Sequence, residues 1–303
     1  MEQAEAVPSQ LPPGIASRFA MVGDIRTHYL EGGQGEAVVL LHSAEFGGRS
    51  EFSWRYNLAA LAERFHVYAV DMVGFGRTDK LFSFTDQWGL RVRHIQRFLE
   101  TLCIPAAHFI GNSFSGGLIQ RVATMRPCPW NILSIISVSG GGHSPDNEYR
   151  RILNNYNGNR EEMRRILQVL FWDERWWAEE IVEERWRASI EPGAWEAVAA
   201  ARFGRPGHEK PFRSETADVS LIECPVLIVG GDQDLLREPG CWEDLHRRIP
   251  NSELHIFSPA RHMPHIEFAE EFNRLAIDFL RRHSWQAEEK RPSEAISSAR
   301  RKR

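Results

Sequence analysis

The stretch Phe109-Ile110-Gly111-Asn112-Ser113-Phe114-Ser115-Gly116-Gly117 lies between an apolar run and a helix-period run, and it decides how the chain is read. A sharp strand-to-helix turn holds a nucleophile in strained backbone geometry, and small residues two positions to either side let neighbouring backbone approach closely. Gly111 and Ser115 are those small residues around Ser113; the last glycine of the usual G-x-S-x-G pattern is replaced by Ser115, with Gly116 and Gly117 behind it.

Working outward, short apolar runs bounded by turn residues recur at Ala37–Leu41, Val67–Val70, His108–Ile110, Ile132–Val138, Pro225–Val229 and Leu254–Phe257. Several are apolar without alternation, which predicts parallel strands buried on both faces. Helix-period stretches lie between them, around Tyr56–Arg64, Asp86–Leu102, Gly116–Met125 and Glu267–Arg281. This alternation predicts an α/β fold. It breaks between about Asn147 and Ser220, where Met163, Ile166, Leu167, Leu170 and Phe171 follow one helix face. The segment is expected to be an inserted helical lid. Five of the ten tryptophans fall in it (Trp172, Trp176, Trp177, Trp186 and Trp195), either as lid core or lining an aromatic pocket. The expected division is a core of 15–145 with 221–284, a helical lid of 146–220, and disordered tails at 1–14 and 285–303, the last ending Arg300-Arg301-Lys302-Arg303.

The 303 residues carry 37 basic and 41 acidic side chains, a net charge of −4, so no global basic surface offers itself to nucleic acid. Cys103, Cys128, Cys224 and Cys241 are scattered without zinc spacing, which argues against a disulfide framework or a metal site. No signal-peptide pattern and no membrane-length apolar run is present, so the expectation is a soluble cytoplasmic protein acting on a small molecule.

A serine hydroxyl needs a base, and the base needs an acid to fix its tautomer. One known order along the chain is Ser, then Asp or Glu, then His. After Pro225–Val229 comes Gly230-Gly231-Asp232-Gln233-Asp234, where Asp234 is the better-placed acid and Asp232 the runner-up, with turn bonding or helix capping as its other role. After Leu254–Phe257, His262 sits on the loop and His265 nearer the next helix, so His262 is the candidate base. Two backbone N–H groups are candidates for an oxyanion hole: Phe114, after the nucleophile, and Ala44, on the loop His42-Ser43-Ala44-Glu45-Phe46. Ser43, on the same loop, is a candidate substrate contact.

The chain from about Val22 to Arg282 resembles the α/β-hydrolase fold superfamily, including the loop Asp71-Met72-Val73-Gly74-Phe75-Gly76-Arg77-Thr78-Asp79, which is similar to D-x-x-G-x-G-x-S-D. Within it, the sequence most resembles the meta-cleavage product hydrolases, which break C–C bonds in aromatic catabolism. Gly111-Asn112-Ser113 is similar to their G-N-S-M-G-G, Phe171-Trp172-Asp173 to F-x-Y-D, and Arg185 through Gly193 to R-Y-E-A-S-I-R-P-G. The resemblance implies a 2-hydroxy-6-oxo-dienoate substrate, no metal or organic cofactor, substrate binding by Asn112 and Arg185, and room for a homo-oligomer. Trp177, Ile181 and Arg185 share a helical stripe, so Arg185 needs an anionic partner: a substrate, or nearby Glu183 or Glu184. Trp186, on the neighbouring face, could stack on a substrate ring.

The sequence departs from that family at Glu45 in the oxyanion loop, at Phe114, and at His262-Met263-Pro264-His265-Ile266-Glu267, which lacks both tryptophans of H-W-x-x-W-E. An esterase or lactonase acting on a neutral substrate and a non-catalytic binding protein of the same fold are the alternatives.

Overall fold

Most of the apolar runs become strands because they can bury both faces, while the run ending at Phe257 stays half-buried at the edge of the sheet. In the computed structural model, which describes residues 11–200 and 217–285, the strands are β1 (Ile15–Val22), β2 (Ile25–Gly32), β3 (Ala37–Leu41), β4 (His66–Val70), β5 (Ala107–Asn112), β6 (Ile132–Val138), β7 (Val226–Gly231) and β8 (Ser252–Phe257). They form one sheet of eight strands in the order β1-β2-β4-β3-β5-β6-β7-β8. β2 pairs antiparallel with β1 and β4, and every other pairing is parallel.

Successive side chains of a strand point to opposite faces. Val39 and Leu41 join one hydrophobic cluster and Val38 and Leu40 the other; Ile228 and Val229 divide in the same way. The helices that complete these clusters are α1 (Ser50–Trp54), α2 (Leu58–Ala62), α3 (Gln87–Thr101), α4 (Phe114–Ala123), α5 (Glu148–Asn154), α6 (Arg160–Leu170), α7 (Glu179–Ser189), α8 (Ala194–Ala200), α9 (Cys241–Arg248), α10 (Pro264–Glu267) and α11 (Ala269–Arg282). Ile95 and Phe98 of α3, Leu118 and Ile119 of α4, and Leu245 of α9 pack on one face; Trp54, Leu58 and Leu61 with Phe272 and Phe279 of α11 pack on the other.

All six anticipated strands are present, and two more precede them. β1 and β2 form a hairpin across Gly23-Asp24, with Val22 opposite Ile25. β1 escapes an apolar search because it is an exposed edge, buried only at its ends, Ile15 and Val22. The helix expected over Tyr56–Arg64 is the shorter α2, and α1, which was not anticipated, precedes it; between them stands Asn57, whose amide donates to the His265 carbonyl at 2.9 Å and to Asn273 Oδ1 at 2.8 Å.

Between adjacent strands β6 and β7 the chain runs through α5 to α8, the helical segment anticipated from its period. Residues 201–216 of that segment, positions 1–10 and the basic tail from 286 onward lie outside the described residues. No described helix is long and apolar enough to cross a membrane. Among the described residues no group of three or more His, Cys, Asp or Glu is placed to hold a metal, and the four cysteines are free.

Candidate active site

β5 delivers Asn112 and Ser113 to the carboxyl end of the sheet, where α/β folds place their ligands. Ser113 adopts φ 55°, ψ −113°, a conformation rare for a side-chain-bearing residue, and its N–H donates to the Val138 carbonyl at 2.7 Å. Close packing demands glycine at Gly111: a Cβ there would lie 2.5 Å from Ile119 Cδ1 and 2.7 Å from the Gly116 nitrogen. The departure at Ser115 has its own use. The buried hydroxyl donates to the His42 carbonyl, tying the start of α4 to the end of β3.

The structure brings Ser113, Asp234 and His262 together. Asp234 Oδ2 is 2.7 Å from His262 Nδ1, and His262 Nε2 is 2.7 Å from Ser113 Oγ. An ionised Asp234 accepts from Nδ1–H, which leaves Nε2 free to accept the serine proton. Both side chains are sealed, 1% exposed for His262 and 2% for Asp234. Burial opposes ionisation of Asp234, but the His262 ring beside it, the bond to that ring and Arg237 together hold its carboxyl below the usual range. Burial also lowers the His262 pKa, against the pull of Asp234. The imidazole is thereby kept neutral and poised as a base, and the aspartate stabilises the cation that proton transfer would create.

The two runners-up fall into structural roles. Asp232 accepts from Ser258 Oγ at 2.7 Å and from the Ala260 N–H at 3.2 Å, bonding the turn after β7. His265 is buried against Trp54 and Phe272, and burial pushes its pKa down to about 3.

Among the described residues no backbone acceptor outside the helices and strands takes the N–H of Ala44 or Phe114. His42 shapes the loop that carries Ala44: its Nε2 accepts from the Met72 N–H at 3.1 Å, and its Nδ1–H donates to the Ser43 carbonyl at 2.6 Å. The Ser43 hydroxyl is buried without a partner among the described residues. Asn112 donates to the Val138 carbonyl at 3.3 Å, and its Oδ1 is buried with no partner among the described residues. Trp186 spends its indole N–H on the Gly158 carbonyl at 2.8 Å. Trp176 lines a pocket together with Phe52, Tyr56, Phe171, Arg185 and Ile266.

The partner of Arg185 differs from the expectation. Glu184 is engaged by Arg55 and Glu183 by Arg160 and Arg187, while Arg185 Nη2 donates to Glu45 Oε1 at 2.6 Å. Proximity in sequence suggested its helical neighbours; the fold instead sets α7 on the loop after β3. A Cβ at Gly47, whose φ is 73°, would lie 2.7 Å from the Arg185 carbonyl.

One residue with a structural part in the site was passed over. Glu267 Oε1 accepts from the N–H groups of Trp172 at 2.7 Å and Asp173 at 3.2 Å, and its Oε2 accepts from the Arg261 N–H at 3.0 Å. His262 itself donates its N–H to the Leu170 carbonyl at 2.9 Å. The histidine loop is thus moored to the end of α6, and the Phe171-Trp172-Asp173 stretch provides the mooring.

Known proteins share this arrangement of chain. A 2-hydroxymuconate semialdehyde hydrolase from Pseudomonas sp. (strain CF600) is 30% identical over 89% of this chain and 95% of its own length. A 2-hydroxy-6-oxo-6-phenylhexa-2,4-dienoate hydrolase from Comamonas testosteroni is 27% identical over 90% of this chain and 99% of its own. Among solved structures, the meta-cleavage product hydrolase CumD of Pseudomonas fluorescens IP01 superposes with a TM-score of 0.78 at 26% identity, over 88% of this chain and 98% of that one. Residues 38–275 match the family model of the Alpha/beta hydrolase family, from the first residues of β3 into α11, and on that match the chain belongs to the alpha/beta hydrolase family.

Proposed function

We infer that the protein is a serine-dependent hydrolase that cleaves a C–C bond in a substrate of the 2-hydroxy-6-oxo-dienoate type. The observation that carries the reading is the line of two 2.7 Å contacts from Ser113 through His262 to Asp234. The relatives named as dienoate and semialdehyde hydrolases supply the substrate class. In this reading the dienol substrate ketonises. Ser113, or a water it assists, attacks the 6-oxo carbonyl as His262 takes the proton, and the Ala44 and Phe114 N–H groups receive the developing oxyanion. His262 returns the proton to the leaving carbon as the C–C bond breaks; where Ser113 itself has attacked, a water activated by His262 then releases the acyl group from Ser113 as the carboxylic acid. The segment of α5 to α8 serves as a lid, and Asn112, Ser43 and Trp186 contribute substrate contacts.

The test follows dienolate absorbance for a panel of ring-fission products. Decay with the parent enzyme and none with Ser113→Ala is the expected result; no decay with any dienoate overturns the reading. A second reading, hydrolysis of a neutral ester or lactone, is favoured by the Glu45–Arg185 contact, because an arginine already paired offers less to a carboxylate. Turnover of neutral esters that survives Arg185→Ala would select it.

A further inference from the structure

The contact between Glu45 and Arg185 is a buried ion pair, 4% and 5% exposed, standing apart from the Ser113–His262–Asp234 line. Arg185 Nη2 holds one carboxylate oxygen. The other, Glu45 Oε2, is buried with no hydrogen-bond partner among the described residues, and so is Arg185 Nε. The fold therefore leaves an orphaned acceptor and an orphaned donor in one pair. Leaving such groups unmade is costly, and a ligand that brings one donor and one acceptor to the pair would satisfy both. Both ends of the pair adjoin features already described: Glu45 follows Ala44 on the oxyanion loop, and Arg185 lines the pocket with Phe52 and Trp176.

We propose that Glu45 is a specificity-determining residue, accepting a hydrogen bond from a hydroxyl on the carbon next to the substrate carboxylate while Arg185 Nε donates to that carboxylate. The proposal rests on the dienoate reading above and adds a selection rule to it. A bare carboxylate approaching Arg185 meets the Glu45 charge as well, and the two repel in a site sealed from water. A hydroxyl beside the carboxylate changes this, because its O–H gives Oε2 the donor it lacks. The pair then selects a 2-hydroxy acid over the same acid without the O–H.

The experiment measures binding to Ser113→Ala protein, by quenching of tryptophan fluorescence, of a 2-hydroxy-6-oxo-dienoate and of its 2-methoxy ether. The hydroxyl compound is expected to bind about tenfold tighter, the worth of one hydrogen bond to a charged acceptor. Glu45→Gln, added to the same background, keeps an oxygen on Arg185 and puts an amide NH2 where Oε2 stands, so the preference should vanish or invert. Equal affinities with Glu45 present, or a preference that survives Glu45→Gln, would overturn the proposal. If Glu45→Gln does not fold, the dienoate with hydrogen in place of the 2-hydroxyl, which adds no bulk, decides: it should also bind about tenfold more weakly than the 2-hydroxy compound, and equal affinity would overturn the proposal. Turnover of the 2-hydroxy compound by the parent enzyme is read in parallel. Turnover without preference removes the role of Glu45 and keeps the reaction, whereas preference without turnover keeps the role and removes the reaction.

Discussion

Replacing Glu267 by glutamine isolates the mooring of the histidine loop. The carboxylate accepts from three backbone N–H groups, those of Trp172 and Asp173 at one oxygen and that of Arg261 at the other. An amide has a single oxygen, so in either orientation at least one of these part-buried donors faces an NH2 group. A buried donor left unmade costs about 1–3 kcal/mol, and the bonds that remain fall from charge-assisted to neutral strength. Burial works the other way. It pushes the Glu267 carboxyl pKa up, against the three N–H groups that lower it, so the neutral amide recovers part of the desolvation cost. The balance is a loss of about 2 kcal/mol, or about 5 °C in melting temperature for a chain of this size. Because Arg261 directly precedes His262, kcat should fall about tenfold or more as the imidazole loses its alignment with Ser113. Circular dichroism melts and steady-state kinetics on the same preparations measure both effects. A melting temperature within about 1 °C of the parent would refute the mooring. A lowered melting temperature with kcat intact would refute its transmission to His262.

The remaining predictions concern the triad, acid and the elbow. Asp234→Asn should lower kcat by about 10⁴ through the wrong imidazole tautomer, while Asp232→Asn, at the neighbouring turn, leaves the rate nearly unchanged; kinetics on the two variants side by side separate the roles. Burial lowers the pKa of His42, His108 and His262 and brings His94 down to about 4, so in the range just below pH 6.5 the unfolded chain binds more protons than the native one. Stability then rises with pH and is lost on acidification from about pH 6.5 downward. Urea midpoints should be lower at pH 5 than at pH 7.5, and an equal or higher midpoint at pH 5 contradicts this. The acid limb of kcat/KM should likewise lie below the ordinary histidine value, since His262 stays neutral further into acid. Ser115→Ala removes the buried bond to the His42 carbonyl and should cost about 1–2 kcal/mol in chemical denaturation.

Ser113, Asp234 and His262 were legible because each follows an apolar strand, in an order that few arrangements of chain satisfy. The strand ends fix where such residues must lie, even though 149 positions separate Ser113 from His262. Arg185 was legible as a cation in need of a partner, but not its partner. Glu45 is 140 residues away, and only the docking of α7 on the β3 loop brings them together. Glu267 was hidden for a different reason: its bonds go to backbone N–H groups, which every residue but proline possesses, so no side-chain pattern marks them. β1 was hidden because an exposed edge strand has no apolar stripe to show.

The seating of α7 on the β3 loop bears on how this chain could acquire a new substrate range. Glu45 pairs with Arg185, Arg49 with Glu191 and Arg55 with Glu184, so three charges on each side match across one seam, and Gly47 fits beneath the Arg185 carbonyl. A graft of residues 148–200 from a relative would replace one half of every pair and strand the other, with Arg49 and Arg55 largely buried and Glu45 wholly so. The smallest exchangeable unit is therefore two stretches distant in sequence, 45–55 together with 148–200. Recombination confined to the helical segment alone should yield unstable chimaeras, unless the donor happens to carry the same three charges.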